Sequence, residues 1–304
     1  MKKLINTFPV LAGICWGTAG IFVRSLQAAG LSNMTIIFGR LLMTVIMVGI
    51  YMYFTDKELF RIRKKDIPLF AFTGIVGYFL MNVFYNYSIQ ELSLSLAAVL
   101  LCTAPVYVLI FGAIFFKERI TPLKLACMIA VVFGCVLLSG IVDTGELQWS
   151  LFGIGLGVLC AIANAVCTLG SNEASGVRGV NPITLLFYNS LFAVIPLIFF
   201  TDYASLGEYI SADPLKGVGI FILNALITSL LPNLFFNYSF IYMDSGVVSI
   251  LASGAEPTAA LVIGILAFSE IPSLAGLLGM IIVVGSIIIL TNAKDPAEDN
   301  AQKI

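Results

Sequence analysis

The sequence predicts an all-α integral membrane protein, with ten transmembrane helices arranged as two inverted five-helix repeats. Three observations predict it. Hydrophobic residues make up 60% of the 304-residue chain and charged residues only 11%, too little charge to cover a soluble domain of this size. The apolar residues gather in runs of about 20, the length that crosses roughly 30 Å of hydrocarbon as a helix. And one polar-aromatic phrase is written twice, half a chain apart: MNVFYNYSI at 81–89 and PNLFFNYSF at 232–240.

The predicted spans fall at about 5–23, 34–54, 67–88, 94–116, 122–141, 150–172, 182–201, 215–238, 246–268 and 273–292. They nearly fill the chain and leave no room for a second, soluble domain. The first run carries no small-residue cleavage site and further spans follow it, so it reads as a retained helix rather than a removed leader. Lys57, Arg61, Arg63, Lys64, Lys65, Lys117, Arg119, Lys124, Arg178 and the terminal lysines all fall on one side of this topology. The other side holds only Arg24 and Lys216. By the positive-inside rule both termini are cytoplasmic and the protein is a multi-pass protein of the cell membrane. The basic stretch 61–65 is then a topology signal, suited to contact with the lipid bilayer, and gives no reason to invoke nucleic acid.

Each span carries its own signals. Span 5–23 places Trp16 at mid-membrane, away from the interface where Trp is usual, among Gly13, Gly17 and Gly20, which allow close helix approach or a hinge. Span 34–54 holds a charge, Arg40, which could pair with an acid, bind a carboxylate, or snorkel. In span 67–88, Tyr78, Asn82 and Tyr85 share one helical face. Span 150–172 carries Asn164 and Thr168, and span 182–201 carries Tyr188 and Asn189. Span 215–238 carries Ser229, Asn233, Phe236 and Asn237. Polar groups facing lipid would lose several kcal/mol each, roughly, for want of partners, so these faces turn inward, either to line a cavity or to bond neighbouring helices. Span 246–268 holds Glu256 near its middle, followed by Pro257, which removes a backbone donor. An intramembrane acid is a functional hypothesis by default: a proton carrier or a counter-charge to a cationic substrate. Its counterpart in the first half is Ala104, so this chemistry is one-sided. Glu118 and Glu270 end spans 94–116 and 246–268, in loop-fixing positions. ITPLK at 120–124 and IPSLA at 271–275 then open the next helices with Pro.

The repeat extends beyond the phrase. Pro105 aligns with Pro257, Glu118 with Glu270, CMI at 127–129 with GMI at 279–281, and FGRLL at 38–42 with FYNSL at 187–191. The unit therefore spans five helices, residues 1–142 and again 149–292, with a tail at 293–304. An odd number of spans makes the second copy start on the opposite side, so the copies are inverted, a recurring plan of secondary transporters with the substrate site near the midplane.

The chain resembles the drug/metabolite transporter superfamily in its ten-helix EamA-type branch. The resemblance rests on CWGTAGIFVR (15–24), FGRLL (38–42), APVYVLIFGAIFFKERIT (104–121) and AEPTAALVIGILAFSE (255–270). It implies a transporter whose cavity is lined by the first four helices of each half, with the fifth helices outside and available for dimer contacts.

Other classes fare poorly. The chain has no His, which removes Ser-His and Cys-His dyads and HExxH zinc sites, and no Asp lies in a predicted span, so an enzyme is not expected. The six cysteines show no metal-ligand spacing and read as small apolar packing residues. No cofactor or metal is expected. A channel would show a charged ring or filter loop. A channel or a non-transporting membrane partner remains the alternative. The expectation is a secondary transporter of a small amphipathic metabolite working by alternating access, proton-coupled or exchanging. The substrate is an organic cation, held by Trp16, Tyr78, Tyr85 and Glu256, or an amino acid, held by Arg40 and Glu256. Trp16, Tyr78, Asn82, Tyr85, Asn164, Tyr188, Asn233 and Phe236 are the candidate substrate contacts. Partners are the substrate, the lipid bilayer, protons and a second copy of the chain.

Overall fold

The computed structural model describes residues 7–92, 94–141, 150–268 and 271–292, and among them every regular element is helical. Glu270, the charged chain ends and the tail 293–304 lie outside the described residues. In chain order the main helices are α1 Phe8–Ala28, α2 Asn33–Thr55, α3 Lys64–Glu91, α4 Leu96–Phe115, α5 Pro122–Leu138, α6 Leu151–Val177, α7 Pro182–Leu197, α8 Tyr203–Ala212, α9 Pro214–Ser239, α10 Ser245–Ala267 and α11 Leu274–Asn292. Eight of these are long and apolar enough to cross a membrane; α5 and α7 are apolar but shorter. Their early ends have local causes. After Leu138 the chain turns through Gly140, at φ +71. After Leu197 it tightens into turns that bond Phe199 N to Pro196 O and Phe200 N to Leu197 O.

The helices start where their capping residues dictate. Ser32, Thr121, Ser150, Asn181 and Asp213 each accept a backbone N–H from the first turn of α2, α5, α6, α7 and α9, satisfying donors that a helix start leaves free. Pro122, Pro182 and Pro214 sit where no N–H is needed. Inside α3, α6 and α9 the helix widens into π turns at Thr73–Leu80, Asn172–Val177 and Leu226–Leu230. In α3 and α9 the wide turn ends just before the repeated phrase, so the two stretches share backbone form as well as spelling.

Packing depends on small residues. Lipid is as apolar as a Leu side chain, so helices in a bilayer associate by close fit and not by hydrophobic expulsion. Helix α1 lies along α10, and a Cβ placed on Gly17 would stand 2.6 Å from the Glu256 carbonyl oxygen and 2.7 Å from Ala259 Cβ. Gly13 meets Ala252 and Ala255 in the same way, whereas Gly20 faces open space. Close approach therefore accounts for two of the three glycines. Helices α5 and α11 cross at Gly134 and Gly279, and α6 fits against α3 where Gly77 meets Cys167. Large apolar side chains such as Ile50, Phe54, Phe115, Ile129, Phe133 and Ile281 point outward, as befits a surface whose solvent is hydrocarbon. Pro257 cannot donate to the Ser253 carbonyl; the Cys135 thiol on α5 donates to that oxygen instead, at 3.9 Å.

One end of the bundle gathers the loops 56–66, 116–121, 178–181 and 240–244. Thr184 Oγ1 donates to Leu59 O and Tyr188 Oη to Phe60 O. Arg178 bonds both Asp66 and Glu173 while Arg63 bonds Asp66 from the other side. Hydrogen bonds to Glu173, then to Asp66, push the Arg178 guanidinium further above its ordinary value. This corner therefore stays charged, and we call this end the basic end.

Candidate functional site

Glu256 marks the centre. Helix α10 is pinned to α1 by the Gly13 and Gly17 contacts, and this fixes where its carboxylate projects. Arg40 on α2, Tyr85 on α3, Cys102 on α4 and Cys160 on α6 all lie within Coulombic range of Glu256. The acid is half-buried, and so is Arg40. Arg40 Nε is buried with no hydrogen-bond partner. Among the described residues no ion pair within contact distance joins Arg40 to Glu256. A basic and an acidic side chain thus share one interior without a direct ion pair.

Tyr78 closes one flank. It is buried, and its hydroxyl donates to Asn233 Oδ1 at 2.5 Å, joining α3 to α9. Asn233 in turn donates to Ser229 O of its own helix. The sequence points separately to these two residues; the fold makes them one contact, between the turn that precedes the first copy of the phrase and the second copy itself. Asn82 and Asn86 donate their amides to the Tyr78 and Asn82 carbonyls, so those groups are committed to the α3 backbone. Trp16 meets Phe236 edge to face at 5.2 Å, and Phe236 meets Phe240 likewise. Its ring partner is on α9; among the described ring contacts, none joins Trp16 to Tyr78 or Tyr85. Asn164 is half-buried on α6, the helix that also carries Cys160 and Cys167. Tyr188 lies elsewhere, stacked on Phe70 and bonded to the loop carbonyl of Phe60 at the basic end.

Several polar contacts are not legible in the sequence. Thr73 donates to Asn189 Oδ1 across α3 and α7. Lys124 pairs with Asp244 and also donates to Arg119 O. The Glu118 carboxylate accepts from Ser245 N, Ser245 Oγ, Gly246 N and Asn172 Nδ2. Its place in the sequence marks Glu118 as loop-fixing, but nothing in the spacing names its partners, which come from α6 and α10.

The bond between Tyr78 and Asn233 is testable by itself. Interhelical hydrogen bonds in membranes contribute about 0.6 kcal/mol on average and at most about 1.7. Tyr78→Phe is therefore expected to lower the melting temperature of the detergent-solubilised protein by only about 1–3 °C. A fall of more than about 10 °C would mark Tyr78 as a keystone of packing instead.

The sequence profile of the EamA-like transporter family matches residues 4–140 and, a second time, 151–292. The chain belongs to the EamA-like transporter family. This EamA-like transporter is 26% identical over 283 residues to the uncharacterised transporter YxxF of Bacillus subtilis, across 90% of this chain and 85% of that one. It is 33% identical over 138 residues to an uncharacterised transporter of Archaeoglobus fulgidus, a match spanning 45% of this chain and about half, 47%, of that relative. Its similarity to the pseudopaline exporter CntI of Pseudomonas aeruginosa is 23% over 287 residues, covering 94% and 95% of the two chains. A solved crystal structure superposes with a TM-score of 0.74 at 17% identity, over 96% of each chain; at that identity the likeness shows the fold alone. The family and these relatives are named as transporters or exporters, and the EamA-like transporter described here is a multi-pass membrane protein by its apolar helices.

Proposed function

We propose that this protein is a secondary active transporter of a small amphipathic zwitterion, working by alternating access between two inverted five-helix halves. The observation that carries the reading is that Arg40 and Glu256 lie within Coulombic range of each other in the helix bundle with no direct ion pair between them. A substrate with a carboxylate and an ammonium satisfies both at once: the guanidinium offers a planar fork to the carboxylate, and Glu256 accepts the ammonium. Tyr85 and the Trp16–Phe236 pair supply apolar surface nearby. The organic-cation reading needs an aromatic cage, and the ring contacts of Trp16 favour Phe236 over the tyrosines of α3.

The inverted plan draws support from the double family match and from the twin π turns ahead of the repeated phrase. The basic end faces the cytoplasm by the positive-inside rule. Glu256 gives a means of coupling. Whenever protein closes around it, its charge is balanced either by substrate or by a proton, so the two exchange. The exporter named among the relatives supports a small-molecule cargo.

The test is a thermal-shift screen of purified protein followed by flux in proteoliposomes. A ligand at about 100 times its Kd stabilises the state it binds by about 2.7 kcal/mol. Amino-acid-like zwitterions are expected to raise the melting temperature and to be carried. Quaternary ammonium compounds of similar size are expected to do neither, and Arg40→Met is expected to abolish the zwitterion shift. Stabilisation by the quaternary ammonium alone would overturn the zwitterion assignment.

A further inference from the structure

We propose that Glu118 is the latch of a gate at the basic end, and that Ser171, Ser175 and Asn237 line the passage it closes. The proposal rests on the alternating-access reading above. Its components are visible in the fold. Helix α4 ends in a turn where Lys117 adopts φ 55, in the left-handed region, a conformation that costs any residue with a side chain. Glu118 N bonds back to Gly112 O, six residues earlier, closing the helix end as such caps do. The strained turn aims Glu118 across the bundle and not along it. Its carboxylate receives two backbone N–H groups from the start of α10, the Ser245 hydroxyl at 2.7 Å, and the Asn172 amide at 3.3 Å. One side chain thus ties α4, α6 and α10. An anion at a helix start is also favoured by the helix dipole. Lys124 with Asp244 fastens the same corner.

Beneath this knot lie buried polar side chains. Ser175 Oγ and both side-chain polar atoms of Asn237 are buried without hydrogen-bond partners, and the buried Ser171 Oγ has the Cys167 thiol of its own helix beside it. Ser171 and Ser175 share a face of α6, and Asn237 follows Asn233 by one turn on α9. The two helices touch there, with Gly176 against the Phe240 carbonyl. Buried polar groups in native proteins are nearly always satisfied. Side chains left wanting in a packed interior, one turn from the Tyr78–Asn233 contact, are what a water-filled passage needs when it is open. A purely structural seam would have apolar residues there.

Thiol labelling tests the gate without needing the substrate. In a chain whose six cysteines are replaced, Asn237→Cys is exposed from the basic end to a membrane-impermeant maleimide. Labelling is expected to be slow with Glu118 present and at least about tenfold faster with Glu118→Ala, because hydrogen bonds to a charged group are the strong ones. Ala193→Cys, in the apolar core between α3 and α7, is expected to stay unlabelled in both. Unchanged labelling at Asn237→Cys would overturn the latch. So would equal gains at both positions, since that marks general loosening. If Glu118→Ala does not fold, the double variant Asn172→Ala with Ser245→Ala removes two of the donors and is held to the same outcomes. Failure of zwitterion flux in the unmodified protein would instead count against the transport reading, and the labelling result stands apart from it.

Discussion

Glu256→Gln is expected to give a folded, membrane-inserted protein that no longer couples transport to pH. The substitution keeps shape and hydrogen-bonding capacity but cannot carry a charge or exchange a proton. Packing should survive, because α10 is held through Gly13 and Gly17 of α1 against its backbone and alanines, not through the carboxylate. The neighbours change more. Arg40 loses its opposite charge within Coulombic range and keeps a buried Nε without a partner. A lone buried cation is the more costly arrangement, by about 3–5 kcal/mol when one member of a true buried pair is removed. Here the two are not in contact, so the expected loss of stability is smaller, about 1 kcal/mol. Counterflow exchange of a zwitterion and uptake driven by an imposed pH gradient, measured in proteoliposomes, separate the two roles. Unchanged pH-driven uptake in the variant would remove Glu256 from coupling.

Gly17→Leu is expected to produce the largest loss of folded protein of any single change discussed. Position 17 touches α10 backbone to backbone, and even a methyl group would stand 2.6 Å from the Glu256 carbonyl oxygen. Backbone cannot swing aside as a flexible side chain can. Overpacking a tight core typically costs about 1–3 kcal/mol, and a Leu here must force a pair of long helices apart, so the upper end or beyond is expected. Melting of the solubilised protein, followed by size-exclusion profile, checks it. Gly20→Leu is the control: nothing stands within 4 Å of its Cβ position, and the same substitution there is expected to shift melting by about 1 °C or less. Equal effects at 17 and 20 would show that glycine flexibility, not close approach, is what matters in α1.

That the protein is all-helical and multi-pass is plain in the sequence because hydrophobic run length alone encodes it. The inward placement of Glu256, Arg40, Tyr78 and Asn233 is also legible, since a polar residue in an apolar span has no lipid-facing solution. Pairings are not. Tyr78 finds Asn233, and Glu118 finds Asn172 and Ser245, through helix crossings that no local periodicity specifies. Tyr188 shows the opposite difficulty: a Tyr beside Asn189 in an apolar run looks like cavity lining, yet its hydroxyl reaches a loop carbonyl near the helix start. Depth along a span, set by where capping residues start the helix, separates these cases, and it is blurred by a residue or two in any reading of hydropathy. The shortness of α5 and α7 is hidden for the same reason: apolar residues continue past Leu138 and Leu197 while the backbone has already turned.

The wide turns at Thr73–Leu80 and Leu226–Leu230 set the rotational phase of everything after them. A π turn holds one residue beyond what the α-helix needs, and one residue corresponds to about 100° of rotation around the axis. Tyr78 lies inside the wide turn of α3 and Asn233 just beyond the wide turn of α9, so the contact between them depends on the backbone of both stretches. Substitution within either turn leaves that phase intact. Loss of the extra residue together with its wide turn would leave the flanking α turns in register, whereas a residue gained or lost between Leu230 and Asn233 would rotate Asn233 by about 100° away from Tyr78.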